Sequence, residues 1–151
     1  MATIKPAEAE PSPPIALTIP ADARWLTVVR LTVSGVASRA GASYEDVDDI
    51  KVAVSEACTN AIDHAFRDAE GVPPTICVQC HPLEAAIRIE VSDEGCGFDP
   101  AAAGVADKSA DPDKQGGLGL YLIHKLMHET EVVSRPGGGT RVIMVKRFAK
   151  E

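Results

Sequence analysis

A chain of 151 residues with 45% hydrophobic content can build one domain around a core and has no room for a second. Its formal charge of −7 and the lack of a basic stripe argue against a nucleic-acid partner, since that binding leans on Lys and Arg neutralising phosphates; a basic protein surface is the more natural partner. No run approaches the ~18 apolar residues of a membrane span, and the start from Met1 to Glu8 lacks a signal peptide's apolar core, so no membrane is expected and the expected location is cytoplasmic.

Residues 1–14 carry Pro6, Pro11, Pro13 and Pro14 among Ala and Glu, with too little apolar surface to fold, and read as a flexible tail before a single domain over 15–148. Ile15 to Ile19 alternates as a short edge strand that Pro20 ends. Asp22 can cap a helix whose stripe is Trp25, Leu26, Val29, Val33, Val36 and Ala40, with Gly41 as its stop. Trp25 reads as packing or partner contact rather than chemistry.

Ser43 opens a second helix in the form Ser-x-x-Asp, and Glu45, Asp46, Asp48 and Asp49 complement the positive end of its dipole. Its apolar stripe, Val47, Ile50, Val54, Ala57, Ala61 and Ala65, runs in steps of three and four to an end near Phe66. Glu56 and Asn60 share another face, and Ala53, Ala57 and Ala61 leave room beside them. An acid and an amide one turn apart can act as a base and as a ligand for a hard cation. Magnesium suits so sparse a donor set, because it keeps several waters and takes its other ligands from one or two side chains and substrate phosphates. Solvated helix faces carry the same pair, so its meaning depends on the rest of the chain.

A Gly- and Pro-rich loop over 68–74 leads to strands over 75–80 and 85–92, an antiparallel hairpin turning near Pro82, Leu83 and Glu84. Parity sets Ile87, Ile89 and Val91 against the helices and Arg88, Glu90 and Ser92 on the other face, so Asp93 continues the buried side. A buried carboxylate needs donors. Protein groups could supply them, but Glu94-Gly95-Cys96-Gly97 follows at once and lets a flat ligand approach the backbone, which makes a ligand amino group the natural donor.

Asp99 to Gln115 shows no apolar period and reads as a mobile lid. Gly116-Gly117-Leu118-Gly119-Leu120 then passes from glycine-rich loop into a helix running through Leu126 and Met127. Free N–H groups at such a start, with the dipole behind them, form a phosphate site; a plain hinge is the alternative. Glu131 to Ser134 and Thr140 to Phe148 make a second hairpin.

Cys77-Val78-Gln79-Cys80-His81 spells the signature of covalent haem attachment, but strand alternation puts the two thiols on opposite faces and no export signal is present. All four cysteines read as reduced, with Cys58 and one of the strand pair as small core residues. The element order implies an α+β fold, a two-layer α/β sandwich whose mixed, mostly antiparallel sheet is covered by helices on one face.

Taken in order, Glu56-x-x-x-Asn60 on a helix, Asp93-x-Gly95-x-Gly97 after a strand, a lid, Gly116-x-x-Gly119 before a helix and Gly139-Thr140 at a strand start resemble the boxes of the GHKL ATPases of Bergerat fold, which include gyrase, MutL and the ATP-binding domains of histidine kinases. The resemblance spans residues 15–148. Ser55 to Ala65 and Gly117 to Ile123 are most similar to the anti-sigma-factor serine kinases of the RsbW and SpoIIAB type.

That resemblance implies that Asn60 holds the magnesium bridging the phosphates of ATP and that Asp93 takes the adenine amino group, with Thr140 assisting and Gly95 and Gly97 admitting the base. The backbone from Gly116 and Gly117 through Leu118, Gly119 and Leu120 would bind phosphates, and Glu56 would draw the proton from a serine of an antagonist protein. Lys108 and Lys114 would lie in the lid as solvated side chains or as positive charge near the γ-phosphate, and His64 would order the helix after Asn60. The implied partners are a sigma factor and a STAS-type anti-sigma-factor antagonist, and the implied assembly is a homodimer. Two alternatives stay open, a regulatory module that binds ATP without transfer and a detached histidine-kinase ATPase domain.

Overall fold

The computed structural model describes residues 13–68, 73–93, 104–105, 117–134 and 139–149, the side chains of 64–68, 104–105 and 117 excepted. β1 (Ile15–Pro20) leads through a 3-10 turn (Ala23–Trp25) into α1 (Leu26–Arg39) and α2 (Tyr44–Asp68). The hairpin β2 (Thr75–Leu83) and β3 (Ala86–Ser92) follows, then the two-residue β4 (Gly104–Val105), α3 (Gly117–Leu126) and the hairpin β5 (Glu129–Ser134) and β6 (Thr140–Arg147). The sheet order is β1-β2-β3-β6-β5-β4.

Every described pairing is antiparallel, in keeping with the expected mostly antiparallel sheet. The first hairpin is joined by the two residues Glu84 and Ala85, whereas a parallel pair would need a long crossover. Gly104 and Val105 pair with Ser134 and Val133, so this part of the expected lid is strand. The rest of that lid, and residues 1–12 of the expected tail, lie outside the described residues.

Local chemistry explains the helix starts. The Oδ1 of Asp22 accepts from the Arg24 N–H at 3.0 Å, and the chain tightens into a 3-10 turn before α1 begins at Leu26. Ser43 Oγ accepts from the Asp46 N–H at 3.1 Å while Asp46 Oδ2 accepts from the Ser43 N–H at 3.4 Å, a reciprocal capping box that starts α2. Gly41, at φ +106°, turns the chain between the two helices in a conformation that favours glycine.

The first hairpin runs further than expected. β2 passes through Pro82 to Leu83, which pairs with Ala86 across Glu84 and Ala85, the latter at φ 54°. Pro82 is tolerated because pairing with β1 stops at Cys80, so β2 is locally an edge there.

α2 lies between α1 and α3 on one face of the sheet, packed against β2, β3 and β6. Its Ile50, Val54, Ala57 and Cys58 meet Ile87, Ile89, Val91 and Met144, all fully buried. The inward parity of β3 is therefore as expected. Cys58 and Cys80 are free core thiols, which burial pushes up to about 12 and about 11, so neither supplies a thiolate at neutral pH. Cys77 is disulfide-bonded, which corrects the reading of four reduced thiols. It stands opposite Ser92 on the sheet face away from the helices, so its neighbours are not those of Cys80. No described helix is long and apolar enough to cross a membrane.

Candidate active site

The C-terminal half of α2 turns Glu56 and Asn60, both half-buried, toward α3. A Cβ built on Gly119 would stand 2.9 Å from Glu56 Oε2, 3.4 Å from Asn60 Nδ2 and 3.6 Å from Asn60 Oδ1. The first turn of α3 therefore lies with its backbone directly on these two side chains, so close that a Cβ at Gly119 would require Glu56 to shift. The positive end of α3, whose first N–H groups have no partner within the helix, meets a carboxylate and a carboxamide at one place.

A second part of the site forms where β3 ends beside the start of β6. Asp93 Oδ1 accepts from the Thr140 N–H at 2.7 Å, and the Asp93 N–H donates to the Thr140 carbonyl at 3.3 Å. One backbone donor thus comes from the protein itself and fixes the carboxylate of half-buried Asp93.

An ion cluster on the far face, centred on Glu90 three residues before Asp93, joins β3 to β6 and to β2. Glu90 is 4% exposed and sits among Arg141 at 2.9 Å, Arg88 at 2.9 Å and His81 Nε2 at 3.0 Å. Burial pushes the Glu90 carboxyl up, but hydrogen bonding to His81 and the charges of Arg88 and Arg141 outweigh it and hold the group below its ordinary value of 4.5. Because the folded value is the lower one, the stabilisation is present above pH 4.5 and is lost as pH falls through the folded value. Glu90→Gln is expected to destabilise the fold by about 3 kcal/mol at neutral pH, since it removes the buried carboxylate that pairs with Arg88 and Arg141. In thermal melts, that difference from the native chain should narrow on acidification below about pH 4.5.

Of the residues singled out in the sequence, Glu56, Asn60 and Gly119 come together, as do Asp93 and Thr140. Leu118 is exposed, while Leu120 is half-buried against the core, so its side chain serves packing. Gly95, Gly97, Gly116, Lys108, Lys114 and the His64 side chain lie outside the described residues. Sequence reasoning missed the contact of Arg30 Nε with Ser55 Oγ at 2.9 Å, on the α1 side of α2, for which the sequence holds no signal. It also missed Lys146, although a lysine on the inward parity of Val142 and Met144 was a readable sign.

The sequence matches the family model described as histidine kinase-like ATPase domain over residues 19–146. The chain belongs to that family. The serine-protein kinase RsbW of Staphylococcus aureus is 43% identical over 143 residues, which cover 91% of this chain and 88% of the relative. The same kinase of strain MSSA476 is 42% identical with the same coverage. The crystal structure of the RsbU and RsbW domains of Rv1364c from Mycobacterium tuberculosis superposes with a TM-score of 0.63 at 23% identity, covering 93% of this chain and 34% of that longer one, and supports the family's fold. Membership accounts for the antiparallel sheet with helices on one face that the sequence implied.

Proposed function

We propose that the chain binds Mg-ATP between α2, the start of α3 and the end of β3, transfers the γ-phosphate to a serine of a STAS-type antagonist, and sequesters a sigma factor when that antagonist is phosphorylated. The activity itself follows from kinship: at this identity and coverage to serine-protein kinases the chain is a protein serine kinase of the same kind. The observation that carries the site is the seating of Gly119 on Glu56 and Asn60.

The donor set fits the implied cation. No group of three or more His, Cys, Asp or Glu that could hold a metal exists among the described residues, which suits an ion that arrives with phosphates and water and takes one amide oxygen from Asn60. Magnesium, when bound, neutralises charge on the β- and γ-phosphates. Asn60 would hold it, the amides at the start of α3 would hold phosphate oxygens, and Asp93 would accept from the adenine amino group. Glu56 would take the proton of the acceptor serine as its oxygen bonds to the γ-phosphorus and the bond to the β-phosphate oxygen breaks, releasing ADP. Gly95, Gly97, Gly116 and Gly117 would let base and phosphates approach the backbone.

The single domain over 15–148 would work in the cytoplasm as a homodimer, because the exposed edge of β1 offers a pairing surface. The test is calorimetric titration with ATP, with and without Mg²⁺, followed by γ-labelled ATP and candidate antagonists. Label on an antagonist serine is the expected result. Asn60→Ala should weaken Mg-ATP by at least about tenfold, because it removes the amide contact to a charged group. Native affinity in that variant would overturn the metal assignment, and binding without transfer in the native chain would leave a regulatory module.

A further inference from the structure

β6 turns Val142 and Met144 toward the helices, and Lys146 continues that inward face. It is 7% exposed, and a buried ammonium group must be paired. Its Nζ lies 3.0 Å from Asp49 Oδ2 on α2 and donates to the Leu126 carbonyl at 2.6 Å. Leu126 is the last residue of α3, so its carbonyl is one of those with no partner inside the helix, and a cation there also suits the negative end of the dipole.

The spacing of these contacts carries the argument. Asp49 stands seven residues before Glu56 on α2, and Leu126 stands seven residues after Gly119 on α3. Seven residues are two turns, a rise of roughly 10 Å on either helix. α2 and α3 therefore run antiparallel and are tied at two levels with the same separation. At one level Gly119 rests on Glu56 and Asn60; at the other Lys146 joins Asp49 to Leu126.

We propose that Lys146 is a positioning residue for phosphoryl transfer: by joining Asp49 to the end of α3 it sets the axial register of α3 against α2, and so the distance of the α3 N-terminal amides from Glu56 and Asn60. The inference rests on the nucleotide reading above. A helix one carbonyl contact short of this tie can slide along α2, and a displacement of about 1 Å at a reacting centre costs on the order of 100-fold in rate.

The test compares the full native chain with Lys146→Met and with the apolar pair Asp49→Leu/Lys146→Met, measuring melting temperature, Mg-ATP affinity and labelled transfer. Lys146→Met is expected to lower kcat on the order of 100-fold and to weaken Mg-ATP, with the KM for the protein acceptor unchanged. The pair variant replaces the buried ammonium and its half-exposed carboxylate partner by apolar groups and should recover the melting temperature without recovering affinity or kcat. Recovery of all three together would make the lysine a stabilising residue only and overturn the proposal, as would native kinetics in Lys146→Met. Should the single variant fail to fold, the pair variant decides alone. A native chain that binds no Mg-ATP would sink the nucleotide reading and this inference with it, an outcome distinct from the other two.

Discussion

Glu56→Gln is expected to bind Mg-ATP as the native chain does while transfer to the acceptor serine falls by about 10²- to 10⁴-fold, the usual contribution of a positioned base. The substitution keeps the shape of the side chain and removes only its capacity to take a proton. Glu56 Oε2 would meet a Cβ at Gly119 at 2.9 Å, so it already lies against the first turn of α3, where the proposed mechanism brings the phosphates and the acceptor hydroxyl together. Calorimetry separates binding from transfer, and single-turnover labelling measures the latter. Native transfer rates in this variant would remove Glu56 from the mechanism and leave phosphoryl transfer to position and charge alone.

Gly119→Ala is expected to separate stability from activity in the opposite way. Alanine is the better helix former, by up to ~1 kcal/mol, so the melting temperature should hold or rise. The added methyl group would stand 2.9 Å from Glu56 Oε2 and 3.4 Å from Asn60 Nδ2. The carboxylate ends a flexible side chain and can swing away, so the fold survives, but its reactive atom moves. Transfer should then fall on the order of 100-fold, with Mg-ATP weakened through Asn60. A variant as active as the native chain would mean that the close approach of α3 to these side chains has no part in the reaction.

Much of this arrangement was legible beforehand because it rests on periodicity and caps. The stripe of Ile50, Val54 and Ala57 fixed which way α2 faces, and the Ser43 and Asp46 box fixed where it starts. The alternation of Ile87, Ile89 and Val91 fixed the inward face of β3. Two kinds of feature were not legible. The hairpin turn lay beyond Pro82 because the tolerance of a proline there depends on where β1 ends, which is a property of the neighbouring strand. The contact of Glu90 with Arg141 and the Lys146 tie depend on which residues meet across elements distant in sequence, and a one-dimensional pattern does not encode those meetings. Within the site, Glu56 and Asn60 could be paired by their spacing of four, whereas Thr140 as the donor to Asp93 follows from the β3–β6 pairing.

That pairing has a bearing on how the protein is made. Asp93 and Thr140 lie 47 positions apart, and the strand beginning at Thr140 is the last of the described strands in chain order. α2 and the first hairpin can collapse together early, since their contacts are closer along the chain, but the central place in the sheet between β3 and β5 stays open until β6 inserts. Its insertion brings the amide of Thr140 to Asp93 and the ammonium of Lys146 to the end of α3 in a single step. Until β6 is in place, Asp93 therefore lacks the Thr140 amide and the end of α3 lacks the Lys146 ammonium, and the proposed nucleotide site waits on that strand.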